Sequence, residues 1–121
     1  MLDSKLVSIN LPLVQTYHHA AQLDALGDPT RRAIVERLLD GPRPVGVLAR
    51  GLPVSRPAVS QHLRVLKAAH LVIDSSAGTR RIYELNPAGF ASLREYLDQF
   101  WTNALASFKH EVETSTPRRK R

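Results

Sequence analysis

A mainly helical fold with one small β-hairpin is predicted by three features of this sequence. Apolar residues recur at spacings of three and four in several stretches, the signature of helices with one buried face. Asp28-Pro29 and Asn86-Pro87 each pair a good N-cap with the residue best suited to the first helical position. Leu71 to Leu85 differs, setting two partly β-branched runs on either side of a turn that contains Gly78. With 121 residues, the chain is expected to build one domain around one core.

The first helix is read from Leu13 to Leu26, with Leu13, Tyr17, Ala20, Ala21 and Leu23 as its apolar positions and Gly27 as its stop. Asp28 and Pro29 open the second, which carries Ala33, Ile34, Leu38 and Leu39 and ends at Gly41-Pro42. Pro44 to Arg50 predicts a short helix closed by Gly51, and Leu52-Pro53-Val54 the turn after it. Ser55 caps a helix expected to run from Arg56 to His70, with Val59, Leu63, Leu66 and His70 at apolar spacing. Leu71 to Asp74 and Arg81 to Leu85 are the two strands, joined by a turn over Ser75 to Thr79. Asn86-Pro87 starts a last helix reaching about Glu113, with Phe90, Leu93, Leu97, Phe100, Trp101, Ala104, Leu105 and Phe108 on a broad apolar stripe. That helix spans about 40 Å. A protomer this small is not expected to cover both flanks of the stripe, so part of it predicts a dimer interface, at Leu13, Tyr17, Leu97, Phe100, Trp101, Ala104, Leu105 and Phe108. The ordered domain is expected over residues 13–113, between flexible segments at 1–12 and 114–121.

Short helix, turn and Ser55 helix together form a helix-turn-helix, whose second helix lies in a DNA major groove. At roughly 100° per residue, Val59, Leu63 and Leu66 define the buried face of that helix, and Pro57, Ser60, Gln61 and Arg64 lie opposite. Their chemistry suits base edges: Gln61 offers a paired donor and acceptor to adenine, Arg64 a bidentate donor to guanine, and Ser60 a small hydroxyl. Arg56 and the backbone after Ser55 are placed for a phosphate. In the hairpin, Thr79, Arg80 and Arg81 follow Gly78 as a wing would, reaching phosphates or a minor groove. Strand alternation predicts that one of Arg80 and Arg81 shares the exposed face of the tip. Ser55 and Lys67 complete the expected DNA-binding set. His62 and His70 are read as packing or capping residues.

Charge supports an anionic partner. The formal net charge is +6, and it is concentrated. Between Ser55 and Arg81, five lysines and arginines stand against the single acid Asp74. The tail Arg118 to Arg121 is wholly basic, whereas the rest of the chain is slightly acidic. There are no cysteines, which removes disulfide scaffolds, thiol catalysis and thiolate metal sites. No apolar run approaches the length of a membrane span, and no signal peptide is evident, so a cytoplasmic protein with no membrane partner is expected. No nucleophile has an adjacent base, Glu95 and Asp98 read as a solvated helix face, and no glycine-rich phosphate loop occurs. An enzyme is not expected, nor a cofactor.

The runs Asp28-Pro29-Thr30-Arg31-Arg32-Ala33-Ile34, Val54 to Leu66, Leu71-Val72 and Gly78-Thr79-Arg80-Arg81 with Tyr83 resemble the ArsR/SmtB family of bacterial winged-helix repressors. The resemblance covers about Leu23 to Leu85. It implies a homodimer, joined through its first and last helices, that binds an inverted-repeat operator and represses its own or an adjacent operon. In many members a metal or metalloid releases the DNA. Members that sense metals through thiolates carry cysteines, absent here; others use Asp, His and Glu on the last helix, where this chain offers His110 and Glu113. His18-His19 is a second pair, on adjacent residues that point about 100° apart. Both pairs are read as surface residues ahead of metal ligands. Phe100, Trp101 and Phe108 are read as interface core ahead of a small-molecule pocket. Two readings compete with a metal-independent repressor: a sensor of the same fold answering a metal or small molecule, and a winged helix used only for protein interaction. The effector is not legible in the residues.

Overall fold

The computed structural model describes residues 16–115. Leu13 and Arg118 to Arg121 lie outside the described residues, as do both predicted terminal segments apart from Thr114 and Ser115. Helix α1 covers 16–26. It is followed by α2 (Pro29–Leu38), β1 (Arg43–Pro44), α3 (Val45–Ala49), α4 (Arg56–Ala68), β2 (Val72–Ala77), β3 (Arg80–Leu85) and α5 (Pro87–Ser115). Among the described residues no helix is long and apolar enough to cross a membrane.

The helix signals act as expected. Asp28 accepts the Arg31 backbone N–H at 2.9 Å with Pro29 behind it, and Ser55 accepts from Ala58 at 3.3 Å. The core gathers Ile34 and Leu38 of α2, Leu48 of α3, Val59, Leu63 and Leu66 of α4, and Leu71 and Val72. A helix-turn-helix thus shares its interior with the base of the hairpin. The sheet has three strands in the order β1-β3-β2, all antiparallel.

Four expectations need correction. First, β1 is a strand that local pattern does not reveal, because two residues become one only by pairing with β3, as Arg43↔Tyr83 and Pro44↔Ile82. Second, β2 runs through Ser75, Ser76 and Ala77, and the hairpin closes at Ala77↔Arg80 with Gly78 at φ 65° in a two-residue loop. The ladder with β3 overrides the weak strand propensity of those small residues. Third, His70 is not on the buried face of α4. The helix ends at Ala68, and His70 is exposed in the left-handed region at φ 62°. Its N–H reaches Lys67 O at 3.0 Å and the Leu71 N–H reaches Leu66 O at 3.0 Å, the two bonds of a Schellman stop. Leu71 then packs in the core where another helical turn would have carried it away. Fourth, Leu39 and α1 face differently from their patterns. Leu39 is 69% exposed, and in α1 Tyr17 and Leu23 are 69% and 42% exposed while His19, Gln22 and Ala25 are buried.

The buried face of α1 is held by polar chemistry. The Gln22 side-chain amide donates to Ala69 O at 3.1 Å and to Gly89 O at 3.2 Å, satisfying carbonyls at the end of α4 and in the first turn of α5. Asn86 Nδ2 donates to His70 O at 3.0 Å. Three imidazoles adjoin this junction: the His18 ring lies 5.4 Å from that of His19 and 5.2 Å from that of His70. Desolvation, then the neighbouring His70 and His19, hold the His18 pKa below its ordinary 6.5. The fold therefore favours neutral His18, so its contribution is intact above about pH 6.5 and is lost on acidification as the unfolded chain takes up the proton. Asp28 is held below 3.8 mainly by the Arg31 N–H, and Asp74 mainly by Lys67; both keep their effect until far lower pH. Between pH 7.5 and 5.5 the melting temperature is expected to fall, and to fall less in His70→Asn, since asparagine tolerates the left-handed backbone. Equal falls in thermal melts of both proteins would remove the histidine pair as the cause.

The described residues divide into two units, one ending at Phe90 and one starting at Ala91. The second is the body of α5, which runs two residues beyond the expected Glu113. From residue 98 to 114 every side chain is exposed, including Phe100, Trp101, Leu105 and Phe108 at 54%, 59%, 59% and 65%.

Candidate nucleic-acid interface

Helix α4 separates its faces as its spacing predicts. Val59, Leu63 and Leu66 are fully buried, while Pro57, Gln61 and Arg64 are exposed and Ser60 is half-buried. Gln61 and Arg64 lie one turn apart, and Arg64 Nη1 donates to Gln61 Oε1 at 2.6 Å. The bond aligns two groups that can pair with base edges and leaves the Gln61 amide protons and most Arg64 donors available. At the first turn, Ser55 uses its hydroxyl for the cap, and Arg56 is exposed beside it. His62 points elsewhere: its Nδ1 lies 3.3 Å from Arg31 Nη1, tying α4 to α2, and the Arg31 Nε donates to Ala25 O at 2.7 Å.

Alternation in the hairpin sets Arg81 across from Ser76 and Arg80 across from Ala77, on opposite faces. Both arginines are exposed, yet their circumstances differ. Arg81 Nε lies 3.1 Å from Asp74 Oδ2 and its Nη1 donates to Ser76 Oγ at 2.9 Å. Lys67 Nζ takes the other Asp74 oxygen at 2.7 Å. The Asp74 carboxylate, 9% exposed, thereby joins the end of α4 to the hairpin and half-neutralises two of the expected DNA-contacting cations. Its position as the single acid in the basic segment is the signal that marks it. Arg80 carries no ion pair among the described residues.

Arg56, Thr79, Arg80 and Arg81 come together around one cleft of about 390 Å³, and Arg50, at the end of α3, joins them there. No pattern singled out Arg50, whose place follows from where the hairpin folds back. Gln61, Arg64 and Lys67 do not line that cleft; with Pro57 and Ser60 they occupy α4 itself.

On α5, Leu97 is half-buried, and Phe100, Trp101, Ala104, Leu105 and Phe108 are exposed; the Phe100 and Trp101 rings meet edge to face with centroids 6.2 Å apart. Tyr17 is exposed on α1. His110 and Glu113 are exposed, and among the described residues no three His, Asp or Glu side chains are grouped to hold a metal ion.

Comparison with known proteins matches residues 26–74 to a helix-turn-helix domain. The chain is 63% identical over 90 residues to the HTH-type transcriptional regulator Rv2034 of Mycobacterium tuberculosis, covering 74% of this chain and 84% of that one. It is 39% identical over 62 residues to the transcriptional repressor SdpR of Bacillus subtilis, covering 51% and 69%. Among solved structures, an ArsR-like transcriptional regulator from Rhodococcus superposes with a TM-score of 0.75 at 28% identity, over 83% of this chain and 95% of that one. The homodimeric winged helix-turn-helix DNA-binding domain of Mb0332 from Mycobacterium bovis does so with a TM-score of 0.59 at 25% identity, over 76% and 82%. Capped recognition helix, β-hairpin wing and these relatives agree that the chain belongs to the ArsR/SmtB family of winged helix-turn-helix transcriptional regulators.

Proposed function

We propose that this regulator works in the cytoplasm as a homodimeric repressor that reads an inverted-repeat operator of its own or an adjacent operon, without catalysis or a bound cofactor. The observation that carries the reading is the outward face of α4, where Gln61 and Arg64 stand paired and exposed on a helix whose other face is locked in the core. Two such helices related by a two-fold would enter successive major grooves about 34 to 36 Å apart. A dimer seated over a promoter excludes polymerase, which makes repression the simplest output. The apolar face of α5, exposed from Phe100 to Phe108 in the single chain, supports assembly into a pair.

Titrating labelled duplexes with the purified protein across a salt series tests this. The DNA upstream of its own gene is expected to bind about a thousandfold or more tightly than an unrelated duplex. Arg64→Ala is expected to weaken operator binding by about 1–3 kcal/mol and to erase preference at one base position. Equal, salt-steep binding to both duplexes would leave only nonspecific affinity, and an unchanged base preference in Arg64→Ala would end its assignment as a reader.

A further inference from the structure

We propose that the arginine-lined cleft is a phosphate seat, with Arg50 as a direct ligand, and that the phosphate it takes belongs to the DNA backbone. The proposal rests on the DNA-binding reading above. Three separate elements bring arginines to the lining of this cleft: Arg50 from the end of α3, Arg56 from the first turn of α4, and Arg80 and Arg81 from β3. Among the described residues no carboxylate lines it. Asp74 engages Arg81 alone of the four, so among the described residues no ion pair offsets the charge of Arg50, Arg56 or Arg80. Like charges gathered in a recess focus a positive potential into it, and guanidinium forks suit the oxygens of a phosphate.

Gly46 has no side chain, and a Cβ built there would sit 3.8 Å from the Arg56 guanidinium, so that group lies against the α3 backbone at the floor of the cleft. A volume of about 390 Å³ admits a phosphate with its flanking sugars. The position also matches the geometry of a duplex. A single phosphate strand divides the major groove from the adjacent minor groove. With α4 in the first and the hairpin tip reaching toward the second, that strand passes between the start of α4 and the tip, where the cleft opens. The contact carries no base information; it fixes register for Gln61 and Arg64.

Fluorescence anisotropy with the full-length protein, on the upstream and unrelated duplexes over a salt series, tests the seat. Arg50→Ala is expected to weaken both duplexes by the same factor and to reduce the slope of log affinity against log salt by about one per protomer. Arg50→Lys should keep the slope, and Lys109→Ala, exposed on α5, should leave it unchanged. If the wild type binds DNA and Arg50→Ala matches it, the seat is wrong while the regulator reading stands. A slope lost equally in Lys109→Ala would also overturn it, leaving only general charge. If the wild type binds neither duplex, the DNA reading fails, and titration with inorganic pyrophosphate, followed through the arginine Nε–H resonances, decides the rest. A saturable shift lost in Arg50→Ala would keep a phosphate seat supplied by a free phosphorylated molecule, and no shift would remove it.

Discussion

Trp101→Glu is expected to leave the fold intact, to convert the protein to monomers and to weaken binding to a full inverted repeat about a hundredfold or more. Phe100, Trp101, Leu105, Phe108 and Val112 are 40% to 65% exposed on one helix, and each square ångström of such surface is worth about 25 cal/mol on leaving water. Large aromatics dominate the energetics of interfaces, with about 2–4 kcal/mol lost when a central one is truncated. A carboxylate in the same place adds a buried charge without a partner and worsens the loss. None of these side chains belongs to the core cluster around Leu63 and Leu66, so circular dichroism and thermal melting should be nearly unchanged. The effect on DNA follows from linkage. In the proposed repressor dimer, once one α4 is seated, its twin meets the second half-site at an effective concentration fixed by the dimer, an advantage on the order of 10²–10⁴ that separate protomers forfeit. Sedimentation equilibrium and titration of full and half operators read both quantities. A variant that stays dimeric and binds as the wild type does would place the interface elsewhere on the chain.

How much of this the residues themselves announced depends on whether each feature is decided locally. Helix α4 was legible because Ser55, Pro57 and the spacing of Val59, Leu63 and Leu66 all point to the same start and the same buried face. The helix-turn-helix, and the outward Gln61 and Arg64, follow from that agreement. His70 was not legible, since it continues the apolar spacing and is not the glycine that usually marks a left-handed stop; the decision is made by Leu71, which the core requires. Strand β1 and the upper part of β2 exist through pairing with β3, and no window of neighbouring residues contains that partner. The same distance in sequence hid the site's two unforeseen members. Asp74 meets Lys67 and Arg81, and Arg50 shares a cleft with Arg80, only after the hairpin has folded back. Exposure of Tyr17 and Leu23 beside buried Gln22 inverts the usual rule because the inner face of α1 presents Gln22 to backbone carbonyls as well as Ala25 to the apolar core.

Those carbonyls make Gly89 the most sensitive position in the first turn of α5. In Gly89→Ala, the added Cβ would run into the carbonyl oxygen of His70, a backbone atom that no rotamer change can move. Alanine favours a helix over glycine by about 1 kcal/mol, so propensity alone predicts a more stable protein. Overpacking against fixed atoms costs about 1–3 kcal/mol. Any displacement of this turn also strains the bonds from Gln22 Nε2 to Gly89 O, at 3.2 Å, and from Asn86 Nδ2 to His70 O, at 3.0 Å. Gln22 is fully buried, and its Oε1 has no hydrogen-bond partner among the described residues, so a second unmet group would add about 1–3 kcal/mol. The clash and the broken bond outweigh the propensity gain. A net loss near 3 kcal/mol is expected, seen as a fall in melting temperature on the order of 10 °C. Gly78→Ala isolates the other way a glycine can matter, because its φ is 65° but none of the described residues lies within 4 Å of its Cβ position; only left-handed strain of about 1–2 kcal/mol applies there. Urea titrations of both variants should therefore rank Gly89→Ala well below Gly78→Ala. The reverse order would mean that the end of α4 and the start of α5 are free to separate, and that Gln22, not close backbone contact, holds this junction together.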